Sequence, residues 1–93
     1  MRTIYKYHLD KDYYIIPHFV ERILKVGYQN NVPTIWAIVD TDRAPEPHTA
    51  ISVYGTGWEL DSNIDCGKYI GTLFDGPFVW HYFYTHVKED DLK

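Results

Sequence analysis

Cysteine, basic clusters and long apolar runs are all scarce in this 93-residue chain. Cys66 is the one cysteine, so no internal disulfide forms, and the composition fits a reducing, cytoplasmic setting. No apolar stretch approaches the roughly 18 residues of a membrane-spanning helix. The opening Met1-Arg2-Thr3-Ile4-Tyr5-Lys6-Tyr7 lacks the apolar core of a secretion leader. Nine Lys and Arg are scattered and outweighed by thirteen Asp and Glu, for a formal charge of −4. General nucleic-acid binding needs a basic surface to displace counterions and is not expected. A cationic protein surface is an admissible partner, because opposite charge speeds encounter.

What the chain does hold is an aromatic surplus: three Trp, nine Tyr and four Phe. Hydrophobic residues make up 45% and charged residues 24%, ordinary globular usage that excludes wholesale disorder. A chain of this length buries one modest core. That core cannot hide every ring, so some are expected on the surface, where Tyr and Trp suit interfaces.

The pattern along the chain is β throughout. Thr3, Tyr5, Tyr7 and Leu9 alternate with Arg2, Lys6 and His8 in a first strand. A turn at Asp10-Lys11-Asp12 leads to a short run from Tyr13 to Ile16, stopped by Pro17. Residues 18–22 read either as one helical turn or as a short turn entering a strand from Arg22 to Gln29, with Leu24, Val26 and Tyr28 on one face. Asn30-Asn31 tolerates positive φ and predicts a tight hairpin into Thr34 to Asp40. That strand is apolar on both faces, which places it centrally; Trp36 reads as a core residue.

A polar, proline-bearing loop follows from Asp40 to His48, then a strand from Thr49 to Tyr54 ended by Gly55-Thr56-Gly57. Trp58 to Gly67 is irregular, with a turn at Asp61-Ser62-Asn63. Strands from Lys68 to Phe74 and from Phe78 to Thr85 flank a turn at Asp75-Gly76-Pro77. About seven short antiparallel strands at this spacing predict an all-β sandwich or open barrel. A single domain over residues 1–87 and a charged, frayed tail over 88–93 complete the expected organisation.

No motif for catalysis, metal or phosphate accompanies this pattern. His81 and His86 point to opposite faces of a strand, and His8, His18 and His48 lie in unrelated segments. Asp40, Asp42 and Glu46 lack the turn of a calcium loop. Cys66 and His81 can be drawn as a nucleophile and base, with no flanking signature. Gly55-Thr56-Gly57 could offer amides to an anion, but no helix or phosphate-loop Lys follows. No enzyme activity, cofactor or metal is expected.

The candidate binding groups therefore cluster at strand ends, where a sheet holds them rigidly. They are Tyr54, Gly55, Thr56, Gly57 and Trp58 after one strand, and Trp80, His81 and Tyr82 in the last. Gln29 and Asn30 join them at the hairpin. Phe78, Trp80, Tyr82 and Tyr84 share one face of the last strand; Val79, His81 and Phe83 share the other. An exposed aromatic face there would also serve self-association into a homo-oligomer.

The chain resembles a family of small uncharacterised proteins carried mainly by bacteriophages and prophages. The resemblance rests on Met1-Arg2-Thr3-Ile4-Tyr5-Lys6-Tyr7, Ile23-Leu24-Lys25-Val26-Gly27-Tyr28-Gln29-Asn30 and Trp36-Ala37-Ile38-Val39-Asp40. It continues through Tyr54-Gly55-Thr56-Gly57, Tyr69-Ile70-Gly71-Thr72 and Phe78-Val79-Trp80-His81. Such relatives tend to carry Gly where this chain has Asn31. The family has no established activity and lends no functional residues. The resemblance implies a phage origin and a role in the cytoplasm of an infected bacterium.

Together these readings lead to a non-enzymatic phage accessory protein expected to bind and inhibit a host protein of the immune system. Trp58 and Tyr82 would be its anchors. One alternative is an oligomeric sponge for a nucleotide-like immune signal, held by the Gly-Thr-Gly loop, Gln29, Asn30, Trp58 and His81. Another is a minor structural protein of the phage particle.

Overall fold

A computed structural model describes residues 1–92. Seven strands form in chain order: β1 (Arg2–His8), β2 (Tyr13–Ile16), β3 (Phe19–Gln29), β4 (Val32–Asp40), β5 (His48–Gly55), β6 (Lys68–Asp75) and β7 (Phe78–Val87). All pairings are antiparallel. They make a three-stranded sheet in the order β1-β4-β3 and a four-stranded sheet in the order β2-β5-β7-β6. The two sheets pack as a sandwich and do not close into a barrel. Of the expected tail, Glu89–Leu92 forms a short 3-10 turn and residue 93 lies outside the described residues.

Alternation decides what each sheet contributes to the core. β4 is central, as its two apolar faces predict, and sends Ile35, Ala37 and Val39 inward, all fully buried. Tyr7 of β1 and Val26 of β3 stand level with Ile35. The four-stranded sheet answers with Ile16, Ile51, Leu73 and Tyr82. The last strand thus buries its Trp80-Tyr82-Tyr84 face and turns His81 and Phe83 outward. Trp36 differs from expectation: it stands half-buried on the outer face of the smaller sheet, level with Lys6 and Lys25.

No helical turn forms at residues 18–22. β3 is continuous from Phe19, and its ladder with β4 shifts register twice, leaving Glu21 and Leu24 without a partner. Each is a β-bulge, an extra residue that resets which face its successors occupy. Val20, Ile23 and Val26 thereby match Val39, Ala37 and Ile35. A three-residue apolar spacing on β3 meets a two-residue spacing on β4, which is why the segment reads partly as helix. Leu24 is pushed out to 41% exposure while Val26 is at 7%, so those two do not share a face.

The hairpin turn between β3 and β4 forms as the sequence predicts, with Asn30 at φ 51 and Asn31 at φ 65. Both lie in the left-handed region that Asn tolerates better than most residues. At the facing edges of the sandwich β6 approaches β3 closely. A Cβ at Gly71 would come within 2.7 Å of the Val26 side chain, so only Gly fits.

Candidate functional site

Several chain reversals meet at one end of the sandwich. The turn after β1 (Asp10 to Asp12), the Asn30-Asn31 turn and the turn between β6 and β7 all reach it. Between the sheets there they leave an open cleft of about 580 Å³. Val53, Trp80 and Tyr82 line it from the inner face of the larger sheet; Leu9, Tyr28 and Pro33 line it from the smaller one. Backbone bonds hold the walls: Leu9 N–H donates to Pro33 O at 2.8 Å, and Val53 N–H donates to Asp12 O at 3.1 Å. The Tyr28 hydroxyl donates to Phe74 O at 3.1 Å and bridges the two sheets.

The cleft is aromatic inside and acidic at its mouth. Asp10, Asp12 and Asp75 stand around it, with Lys11 the one cation among the residues that line it. Tyr82 is only 4% exposed. Burial, and then the neighbouring Tyr28, Asp12 and Asp75, push its hydroxyl up to about 12, so it keeps its proton at neutral pH. Burial and Asp75 also raise Tyr28.

Trp80 continues the aromatic surface out of the cleft. Phe78 stacks on it at 5.8 Å and Trp58 meets it edge-on at 5.6 Å, geometries that rings prefer. Phe78 at 57% and Trp58 at 48% remain open to solvent beside it, while Phe74 follows the buried Leu73 in β6 and stands exposed on the outer face of that sheet.

Behind the cleft, on the outer face of the larger sheet, a second arrangement forms. His81 Nδ1 lies 3.1 Å from Thr72 Oγ1 and Nε2 lies 2.7 Å from Thr56 Oγ1. The Tyr69 hydroxyl pairs with Thr72 at 2.5 Å. Both imidazole nitrogens are thus engaged by threonine hydroxyls, which ties β6, β7 and the Gly-Thr-Gly loop together and leaves no nitrogen to activate Cys66. Tyr54 and Tyr69 both meet Phe83 edge-on, at 5.7 and 5.6 Å. Burial, with Cys66 beside it, raises the Tyr54 hydroxyl.

The residues singled out from sequence divide between these surfaces. Trp80 and Tyr82 line the cleft, and Trp58 covers Trp80. Tyr82 is a core residue, not a surface anchor. Tyr54, Thr56 and His81 lie on the outer face. Gly55 lies beneath Trp58, and Gly57 sits at φ +86 with open space around its Cα. Gln29 faces away from the cleft: Lys6 Nζ donates to its Oε1 at 2.7 Å on the outer face of the smaller sheet. Asn30 serves the turn, and its neighbours Tyr28 and Asn31 line the cleft instead.

The Gly-Thr-Gly loop is poorly suited to hold a phosphate. Thr56 N–H donates to Val79 O at 3.0 Å and Trp58 N–H donates to Gly55 O at 3.1 Å, so the amides do not converge on an empty space. The acidic loop at Asp40 to Asp42 is occupied too: both carboxylates pair with the Met1 amino group. The Asp42 N–H bond, first, and that amino group hold Asp40 below the usual carboxylate range.

Leu9, Asp10, Asp12, Tyr28, Phe74 and Asp75 were not legible as site residues. The signal was two acidic turns, Asp10-Lys11-Asp12 and Asp75-Gly76-Pro77, which read as ordinary solvated turns until the topology brings them to one cleft. No curated protein and no solved structure matches the chain. One family does match, over residues 1–93, under the description "Domain of unknown function (DUF7352)", and the chain belongs to that family.

Proposed function

We propose that this chain is a non-catalytic recognition domain that binds and blocks another protein through the aromatic end of the sandwich. One observation carries the reading: Trp58 and Phe78 are large rings left exposed together against a half-buried Trp80. Exposed aromatic clusters of this kind mark interaction sites, and Trp and Tyr dominate binding hot spots. The hairpins and the His81 ties hold the rings, so little ordering is left for the partner to drive. The resemblance to phage-carried proteins supports a host protein as target, inside an infected bacterium, with immunity the function disabled. The acidic cleft and the engaged loop amides make a nucleotide sponge the weaker reading.

The test is paired capture. Tagged wild-type chain and a Trp58→Ser/Phe78→Ser variant are immobilised and exposed to host lysate. The expected result is one host protein retained stoichiometrically by wild type, inhibited when bound, and lost from the variant while the variant stays folded. Equal retention by both, or none by wild type, would sink the reading.

A further inference from the structure

We propose that the cleft receives an arginine side chain presented by the partner protein. This rests on the protein-binding reading above and adds the chemistry of the group that docks.

Four observations converge. The cleft, at about 580 Å³, falls within the size range of ligand sites. Its interior presents the rings of Tyr28, Trp80 and Tyr82, and a cation over such faces is attracted by their quadrupoles. Asp10, Asp12 and Asp75 surround the mouth against Lys11 alone, which favours a cation and repels a phosphate. The fourth is the Tyr82 hydroxyl. The side chain is 4% exposed and lines the cleft, yet among the described residues its hydroxyl has no hydrogen-bond partner. That hydroxyl is not sealed inside the core: it serves nothing within the fold and opens to whatever enters the cleft. Its oxygen has lone pairs free to accept an N–H from an incoming ligand.

The same features choose among cations. Among the described residues no three of His, Cys, Asp and Glu stand close enough to hold a metal ion, so the carboxylates line a rim rather than converge on a point. A guanidinium suits that spread: it is planar, carries five donors, sheds water more readily than an ammonium and stacks on aromatic faces. A lysine ammonium offers a compact, strongly hydrated charge and fits less well.

The experiment titrates the isotopically labelled full chain with a blocked Gly-Arg-Gly peptide, following Trp80 and Tyr82 by NMR. Peptides with Lys or citrulline in place of Arg, and methylguanidine alone, serve as comparisons. Citrulline keeps the shape and loses the charge. The Arg peptide is expected to shift both residues and to bind about tenfold tighter than the citrulline peptide and several-fold tighter than the Lys peptide. Asp12→Asn with Asp75→Asn should weaken it about tenfold. Tyr82→Phe should weaken it about threefold without lowering the stability of the free protein, because the hydroxyl it removes has no partner there.

No shift at Trp80 and Tyr82 up to roughly 20 mM peptide, a range that reaches well past millimolar affinity, would overturn the proposal. So would equal binding of Arg and citrulline peptides, or unchanged binding by the Asp variants. Methylguanidine binding as tightly as the peptide would replace a partner's arginine with a free small guanidine. Because the probes are defined peptides, their failure leaves the capture result standing. Failed capture with successful titration removes the partner instead.

Discussion

Trp58 lies across Gly55: a Cβ at Gly55 would stand 2.6 Å from the indole Nε1. That indole also closes edge-on over Trp80, so a backbone position without a side chain sets the aromatic surface. Gly55→Ala is expected to displace the indole. Trp58 is already 48% exposed, so moving it should cost only about 1 kcal/mol, the worth of one ring pair. The near-ultraviolet circular dichroism of the Trp58–Trp80 pair should change sharply while the melting temperature moves little. An unchanged spectrum would contradict the arrangement.

Gly67 presents the opposite case. It sits at φ +91, and a Cβ there would collide with the Tyr84 carbonyl oxygen and the Thr85 methyl group. Gly57, at φ +86, has nothing within 4 Å. Gly57→Ala should cost about 1 kcal/mol, the left-handed penalty alone. Gly67→Ala should cost about 2–4 kcal/mol, because backbone on β7 has to move as well. Urea unfolding of both variants checks this, and equal losses would mean the loop does not press against β7.

The two bulges of β3 make a prediction that a regular strand would not. Leu24 and Val26 are two residues apart and would share a face without a bulge between Ile23 and Lys25. Leu24→Asp is expected within about 1 kcal/mol of wild type, since exposed substitutions cost little. Val26→Asp should cost more than about 3 kcal/mol, because it buries an unpaired carboxylate. Similar losses for both would argue for an unbroken ladder.

Alkaline pH should unfold the protein through two tyrosines. Burial, first, raises both Tyr7 and Tyr82 from about 10 to about 12. Between those values the unfolded chain releases the two protons and the folded chain keeps them, so the unfolded state binds fewer and stability falls as pH rises. The contribution is complete below pH about 10 and is lost through about 12. Urea midpoints should therefore drop steeply over that window, and Tyr7→Phe with Tyr82→Phe should flatten the drop. An equally steep decline in the double variant would place the titration elsewhere.

Much of the fold was legible because its signals are local. Pro17 cannot continue a ladder, and β2 ends at Ile16. Asn30-Asn31 supplies two positive φ values, and β3 and β4 pair around it. Ile35, Ala37 and Val39 alternate cleanly, and they form the centre of the core. β3 was harder, since bulges at Glu21 and Leu24 erase the period-2 signal and leave an apolar spacing of three that a helix also uses.

The site was legible in outline and misplaced in detail. The Gly55–Trp58 segment and the start of β7 do meet, because β5 and β7 pair along their length. Gln29 was a residue off: in a strand the neighbour points to the other face, so Tyr28 enters the cleft and Gln29 meets Lys6. The acidic mouth depends on turns far apart in the chain, and no local pattern joins Asp12 to Asp75.

By itself the amino-acid sequence determined the strands, their turns, the acidic charge and an excess of rings beyond what one core can hide. Only the tertiary structure decided which face of β7 is buried, where Trp36 stands and which turns share a cleft. The physical reason is that alternation separates a strand's two faces without ranking them. A face becomes the inside only when another sheet packs on it, and that packing is set by pairings between residues distant in sequence.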